Sequence, residues 1–175
     1  MNADEYIKQA RRHYPSLPQD LIESVSVIGI SQDKIRQNNK LRFEIIDYLE
    51  KNLDEIDLPL IRYIMQIETE CADLELDGCD STYFETVGQM LFCLGQLEDV
   101  QLLWNAKFAD FDSSIRFDGS YFFGAGIDET ITYLETTKIE DKDDILEYLK
   151  DSVDDVKPWL NEWRRRVYVR FGKTT

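Results

Sequence analysis

Apolar residues recur every three or four positions along almost the whole chain, and this helical spacing limits the possible fold more than any other feature. In the first segment, for example, Tyr6, Ile7, Ala10 and Tyr14 share one helical face. The pattern is typical of amphipathic helices that bury one side. The sequence therefore predicts an all-α protein of antiparallel helix hairpins, with about eight or nine helices.

Prolines and capping residues divide this pattern into separate helices. Pro15 ends the first helix, because proline disfavours the helical conformation in the residue before it. Ser16 with Gln19, and Thr82 with Glu85, predict capping boxes at the second and fifth helices. The other predicted helices span 38–52, 57–76, 99–108, 128–137, 143–153 and 156–170. For the stretch 109–125 we expect a structured loop that contains a short helix.

One glycine-led pattern occurs twice. Gly95 and Gly126, 31 residues apart, are each followed by a glutamate three positions later and by apolar residues five and eight positions later. A helix hairpin reused in a repeat-like stack would produce such an echo. Chance similarity between two ordinary amphipathic helices explains it equally well.

The length of the chain, 175 residues, is typical of one compact domain, so we predict a single helical domain over 1–175. No apolar run is long enough to span a membrane, and the acidic start of the chain is unlike a signal peptide. We therefore expect a cytoplasmic protein without membrane contact. Its three cysteines, Cys71, Cys79 and Cys93, are then expected to be reduced and partly buried.

Negative charge is concentrated in the middle of the sequence. Residues 51–155 hold 26 acidic and 7 basic side chains, a net charge of −19, whereas the last twenty residues sum to +5. Tyrosine, phenylalanine and leucine are interleaved with these acids, so the segment should fold. A folded surface of this charge repels nucleic acid and anionic membranes, and it attracts basic proteins or cations.

No residue pattern predicts catalysis. His13 is the only histidine, and it lies at a helix end, where a cation complements the helix dipole. An acidic pattern beginning at Asp73 resembles the start of an EF-hand loop, but its twelfth position is Phe84 instead of a bidentate carboxylate. We therefore predict no enzyme activity, no metal site and no cofactor.

Three aspartates, Asp110, Asp112 and Asp118, surround the aromatic residues of the stretch 109–125. Carboxylates in one loop can hold magnesium or act as an acid and base pair. A metal-dependent enzyme that uses this loop therefore stays an open alternative. More often such aspartates cap short helices or face the solvent.

The basic end of the chain combines three consecutive arginines, 164–166, with Trp159 and Trp163. Basic and aromatic residues together can contact single-stranded nucleic acid. Arginines also suit the last turns of a helix, where they complement its dipole, and the two tryptophans share a helical face. We therefore expect pairing within the molecule and core packing, with no direct contact to nucleic acid.

The region from Leu94 to Leu134 resembles a group of small, acidic, helical bacterial proteins. The resemblance rests on the segment 102–107, on Asp110-Phe111-Asp112, and on Gly124-Ala125-Gly126 with Asp128-Glu129-Thr130. The group consists of immunity proteins of polymorphic-toxin and contact-dependent growth inhibition systems. The chain departs from it at 114–116, where the group has a cysteine-glycine pair.

This resemblance implies a cytoplasmic protein that neutralises a cognate toxin domain, typically a nuclease, by binding it through an acidic surface. A basic protein partner would meet carboxylates in place of phosphates. Trp104, Tyr121 and Phe122 can anchor this contact, or they can equally well pack in the core. The expected partner-binding residues are Glu98, Asp99, Asp110, Asp112, Asp118 and Asp128. The alternative is a helical adaptor that binds an unrelated protein through a groove.

Overall fold

The computed structural model describes residues 1–74 and 81–173, and within them the chain is all-α without a strand. Ten α-helices lie within these described residues. They are α1 (Ala3–Arg12), α2 (Gln19–Val25), α3 (Gln32–Asn52), α4 (Leu58–Asp73), α5 (Ser81–Leu94), α6 (Val100–Lys107), α7 (Phe111–Arg116), α8 (Ile127–Thr136), α9 (Lys142–Val156) and α10 (Leu160–Arg170). Three 3₁₀ segments, Glu55–Asp57, Leu97–Asp99 and Gly119–Phe123, connect some of them. The predicted fold class is confirmed.

Several predicted helix ends differ from the structure. The second helix has no side-chain cap, because Pro18 occupies its N-cap position, so the predicted Ser16 box is wrong. Thr82 lies inside α5, where its carbonyl accepts from Thr86, so it does not cap that helix. The stretch 109–125 does contain a short helix, α7, together with the Gly119–Phe123 segment.

Helix α5 lies at the centre of the packing. It contacts α3, α4, α10 and the Gly119–Phe123 segment, and the buried apolar residues form one continuous cluster around it. Consecutive helices α4 and α5, like α8 and α9, pack together as hairpins do. Because α10 returns to α5, the array is closed by contacts between elements far apart in sequence. In a simple linear stack each unit would contact only the next one.

The two glycines of the echo have different places, since Gly95 directly follows the end of α5 and Gly126 is the N-cap of α8. Both glycines have positive φ, 58° and 129°, which an L-residue adopts only with strain. The helices that follow them pack on different neighbours, since α6 lies on α4 and α8 lies on α9.

Ion pairs with at least one buried partner join the helices of the first hundred residues. Arg42 of α3 and Glu68 of α4 are both almost fully buried, and their side chains pair directly. The Arg42 guanidinium also donates to the carbonyl of Val25, at 3.2 Å, and to the side chain of Asn39. Helices α3 and α4 and the end of α2 therefore meet at a single charged side chain.

Two further arginines attach helices to 3₁₀ segments. Arg11 donates two hydrogen bonds of 2.7 Å to the buried carboxylate of Asp57. Arg62 of α4 pairs with Asp99, which is buried at the start of α6. These pairs orient α1 and α6 against the α4 layer.

The C-terminal arginines bind within the molecule. Arg164 donates to the carbonyl of Phe123 at 2.9 Å, and Arg170 donates to Glu50 and to Gln89. Arg165 and Arg166 both pair with Glu162 of their own helix. Trp163 packs edge-on against Phe92, whereas Trp159 is 38% exposed and packs edge-on against Trp163.

Candidate functional site

Among the residues that the structure describes, the large apolar side chain with the greatest exposed fraction lies on the short helix α7. Phe111 is 77% exposed and Ile115 is 67% exposed, and they are four positions apart, so they stand on one face of the helix. Phe108, just before α7, adds a ring that is 46% exposed. Apolar side chains grouped in this way mark a surface that another molecule can cover.

Three carboxylates lie in the same segment as the apolar ridge formed by Phe111 and Ile115. Asp112 and Asp118 are exposed, and Asp110 is half-buried at the start of the helix. We use the name α7 face for six residues of the segment 108–118: Phe108, Phe111 and Ile115 with Asp110, Asp112 and Asp118. It carries three negative charges, and the exposed Arg116 lies on the same helix.

Two of the aspartates also shape the backbone of the α7 face. Asp110 accepts a hydrogen bond of 2.6 Å from the amide of Ser113, and Asp118 accepts one of 2.8 Å from the amide of Ser120. Each carboxylate thereby satisfies an amide that the first turn of a helix leaves unpaired. The predicted capping role of such aspartates is confirmed at both positions.

A buried lysine holds α7 against α6. The Lys107 ammonium donates to the carbonyls of Ser114 and Phe117, both at 2.8 Å. These carbonyls belong to the end of α7, where a cation complements the helix dipole. Burial lowers the pKa of Lys107, and the nearby charge of Asp118 opposes that shift.

An aromatic cluster supports the same face from beneath. The ring of Phe108 lies 4.3 Å from Trp104 and 5.9 Å from Tyr148 of α9, measured between centroids. Lys107 lies over the rings of Phe108 and Tyr148 at 5.7 and 5.6 Å. Phe108 therefore stands on packed side chains from α6 and α9.

The other expected partner-binding residues lie apart from the α7 face in the sequence, and one of them is inaccessible. Glu98 and Asp128 are exposed, and Asp128 lines an open groove of about 520 Å³ along α8. Asp99 is buried and paired with Arg62, so its carboxylate does not face a partner. Burial raises the pKa of Asp99, whereas Arg62 opposes this shift.

Of the two alternatives for the three aromatic residues, the structure favours core packing. Tyr121 and Phe122 are buried in the core, and Trp104 is half-buried beneath Phe108. The large apolar side chains exposed on α7 are instead Phe111 and Ile115, which the sequence analysis did not single out as anchors. Their spacing of four residues next to two aspartates is the signal that marks them.

Within residues 1–74 and 81–173, no group of three potential metal ligands is placed to hold an ion. Asp110 and Asp118 each direct one carboxylate oxygen to a backbone amide of their own segment. Most of the EF-hand-like pattern that begins at Asp73 lies outside the described residues. In the same part of the chain, none of the helices combines the length and the apolar character needed to cross a bilayer.

Comparison with known proteins gives no relative. Neither a protein-family model, nor a curated protein, nor a solved structure matches this chain.

Replacing Lys107 with Met should loosen α7 without unfolding the protein. The substitution keeps the apolar stem but removes the charged donor to two carbonyls, and such hydrogen bonds contribute about 1.5–3 kcal/mol each. We therefore expect the amide hydrogens of Ser114 and Phe117 to exchange about tenfold faster or more. Amide exchange followed by NMR measures this, with α4 as the internal reference.

Lys150→Met is the matched control, because Lys150 forms only an exposed pair with Glu135. It should leave exchange in α7 unchanged. If Lys107→Met also leaves the protection of α7 unchanged, then other contacts hold this helix in place.

Proposed function

We propose that this chain is a cytoplasmic immunity protein, which binds a cognate toxin domain through an acidic surface and thereby neutralises it. It acts by stoichiometric binding and not as an enzyme. The toxin domain is a basic protein, and a nuclease suits the charge best, because a nuclease cleft must hold phosphates. The chain itself does not bind nucleic acid directly.

The observation that carries this proposal is the α7 face, where exposed apolar side chains stand among carboxylates. Interfaces commonly combine a few apolar anchors with a polar rim that excludes water. A rim of aspartates suits a partner whose own rim is cationic. The net charge of −15 for the whole chain also attracts a basic partner protein over long distances.

A helical adaptor is the second candidate, and the groove along α8 favours it. Leu97, Thr132 and Tyr133 line this open groove together with Asp128 and Glu129. A peptide bound there would contact α8 and would leave the α7 face free. Variants of the α7 face therefore separate the two candidates.

The first experiment is a capture of partners from the native cell lysate with the tagged chain, at low and at high salt. A small basic protein that is released by salt would then be assayed for nuclease activity with and without this chain. Loss of that activity at a one-to-one ratio is the expected result. An active toxin that stays active in the complex would contradict neutralisation.

Truncating the two anchors should weaken the complex strongly. Phe111→Ala with Ile115→Ala removes the apolar ridge, and anchors of this kind contribute about 2 kcal/mol or more. We therefore expect a dissociation constant about 30-fold higher or more, measured by titration calorimetry. Val169→Ala on α10 is the matched control, because Val169 is also exposed and apolar. If the double variant and the control bind the partner with equal affinity, the interface does not include Phe111 and Ile115.

Association should also slow steeply with salt. Opposite charges speed the encounter of two proteins, and this effect is screened within about 10 Å at 0.1 M salt. We expect the association rate constant to fall about tenfold or more between low and high salt, measured by stopped-flow fluorescence. Changing Asp110, Asp112 and Asp118 to Asn should reduce that slope, whereas a salt-independent wild-type rate would contradict charge steering.

A further inference from the structure

Helix α3, the longest of the described helices, carries charges of both signs along one exposed side. Successive residues of a helix are turned by about 100° about its axis, so six exposed charged residues of α3 fall within an arc of roughly 80°. We use the name α3 stripe for these six residues: Asp33, Arg36, Lys40, Glu44, Asp47 and Lys51. Three are acidic and three are basic, so the stripe has no net charge in a chain whose net charge is −15.

The four central residues of the α3 stripe line one open groove of about 390 Å³. Phe43 of α3 and Tyr83 of α5 line the same groove, and their rings stack with 4.2 Å between the centroids. The hydroxyl of Tyr83 also donates a long hydrogen bond of 3.5 Å to Asp47. The groove is therefore basic toward the start of α3 and acidic toward its end, with aromatic side chains between the two.

Most charges of the α3 stripe are available to another molecule. Within residues 1–74 and 81–173, Lys40, Glu44 and Lys51 form no ion pair, although the four-residue spacing of Lys40 and Glu44 would allow one. Arg36 pairs with Asp33 at 3.3 Å, but these two side chains are 71% and 88% exposed. Because such an exposed pair contributes little stability, it can be exchanged for a pair with a partner.

The signs of these charges reverse about position 42 of the helix. The inner two residues, Lys40 and Glu44, lie two positions on either side of it, and the outer two, Asp33 and Lys51, lie nine positions on either side. The remaining base and acid of the stripe lie six positions before it and five positions after it. An antiparallel copy of α3 that crosses at position 42 would therefore meet opposite charges along the whole stripe.

We propose that the α3 stripe is a dimer interface, in which two copies of this chain pack α3 against α3 in antiparallel order about a two-fold axis at position 42. Such an axis sets Lys40 of each copy against Glu44 of the other, because the same surface is used twice. Phe43 lies one position from the axis, so the two Phe43 rings lie near the centre of the interface. Charged pairs then surround an apolar centre, as in other protein interfaces.

Charge complementarity selects a second copy as the occupant of this groove. A two-fold interface requires that the signs reverse about one point, whereas an unrelated partner imposes no such symmetry. Parallel packing of α3 on α3 would instead set like charges against each other. The stripe is neutral, so two copies can meet there although the rest of each chain is strongly acidic. This dimer goes beyond the proposed function, and it uses α3 and α5 instead of the α7 face.

Sedimentation velocity of the full chain tests whether the dimer exists. We expect the mean sedimentation coefficient to rise from the monomer toward the dimer value between about 10 and about 500 µM chain, in about 0.15 M salt, which screens the long-range repulsion between acidic copies. A wild-type chain that stays monomeric over this range overturns the proposal.

Charge reversal tests which residues face each other. Lys40→Glu and Glu44→Lys each set like charges together on both sides of the axis, and each should raise the dissociation constant of the dimer about tenfold or more. An equimolar mixture of the two variants should dimerise like the wild type, because one copy then carries two acids and the other two bases. Lys34→Glu is the matched control, since Lys34 is exposed on the same helix outside the arc of the stripe. It should keep the wild-type dissociation constant.

The variants separate a specific interface from general repulsion. Glu44→Lys lowers the net negative charge of the chain, so a weaker dimer of this variant cannot result from stronger overall repulsion. A dimer that neither Lys40→Glu nor Glu44→Lys weakens uses another face and overturns the proposal. The same holds if Lys34→Glu weakens the dimer as much as Lys40→Glu does. If the mixture of the two variants stays as weak as each variant alone, the antiparallel pairing is wrong.

Discussion

Glu68→Gln should destabilise the protein by about 3–5 kcal/mol, which is the usual cost of leaving a buried charge without its partner. Arg42 is fully buried, so its guanidinium cannot turn to water when the carboxylate is removed. Its bonds to Val25 and Asn39 do not neutralise the charge. The free energy of unfolding from urea denaturation, followed by circular dichroism, measures the effect.

Glu162→Gln is the control for this prediction, because it removes a carboxylate whose pairs are exposed on α10. Its denaturation midpoint should stay close to that of the wild type. Replacing both members of the buried pair, with Arg42→Met and Glu68→Leu, should cost less than Glu68→Gln alone, since no lone charge remains. If Glu68→Gln and Glu162→Gln have equal midpoints, the buried pair does not stabilise the joint between α3 and α4.

Gly124→Ala should also destabilise the protein by about 3 kcal/mol, which is the upper end of the usual cost of adding a group to a tightly packed site. A Cβ atom there would lie 2.5 Å from the carbonyl oxygen of Phe92 and 3.1 Å from the Cα of Gly95. These neighbours are backbone atoms, so they cannot rotate away. Residue 124 itself has helical φ and ψ, −57° and −43°, and alanine suits that conformation.

Gly29→Ala tests whether the close approach is the cause. Gly29 has a φ of 69°, yet nothing lies within 4 Å of an added Cβ, so its only cost is the left-handed conformation, about 1–2 kcal/mol. Thermal denaturation of both variants compares the two effects. A smaller loss for Gly124→Ala than for Gly29→Ala would mean that α5 and the Gly119–Phe123 segment separate easily.

Helical spacing predicted the existence and order of the helices because most of them carry a regular apolar stripe. The start of α3 was missed by six residues, since Ile35 is the only apolar residue between Ser31 and Leu41. Polar groups hold this first part of α3 in place. Asn38 is buried and donates to the carbonyls of Glu23 and Ser26 at 3.0 and 2.7 Å.

The candidate site was predicted only by its charges. The aspartates at 110, 112 and 118 stand out in the sequence. The spacing of the aromatic residues predicts which aromatic residues share a helical face, but it does not predict which face the rest of the protein covers. Tyr121 and Phe122 are buried because the Gly119–Phe123 segment packs against α5 and α6. Phe111 and Ile115 are left outside because Lys107 and the buried Ser113 fix the opposite side of α7.

The return of α10 to α5 has a consequence for the order in which this protein is made. Trp163 packs on Phe92 and on Tyr121, and Arg164 binds the carbonyl of Phe123. A ribosome must therefore release residues 160–170 before these earlier aromatic groups are covered. Nascent chains would expose them until synthesis reaches that point, so folding is completed late and the core is most vulnerable to aggregation just before it.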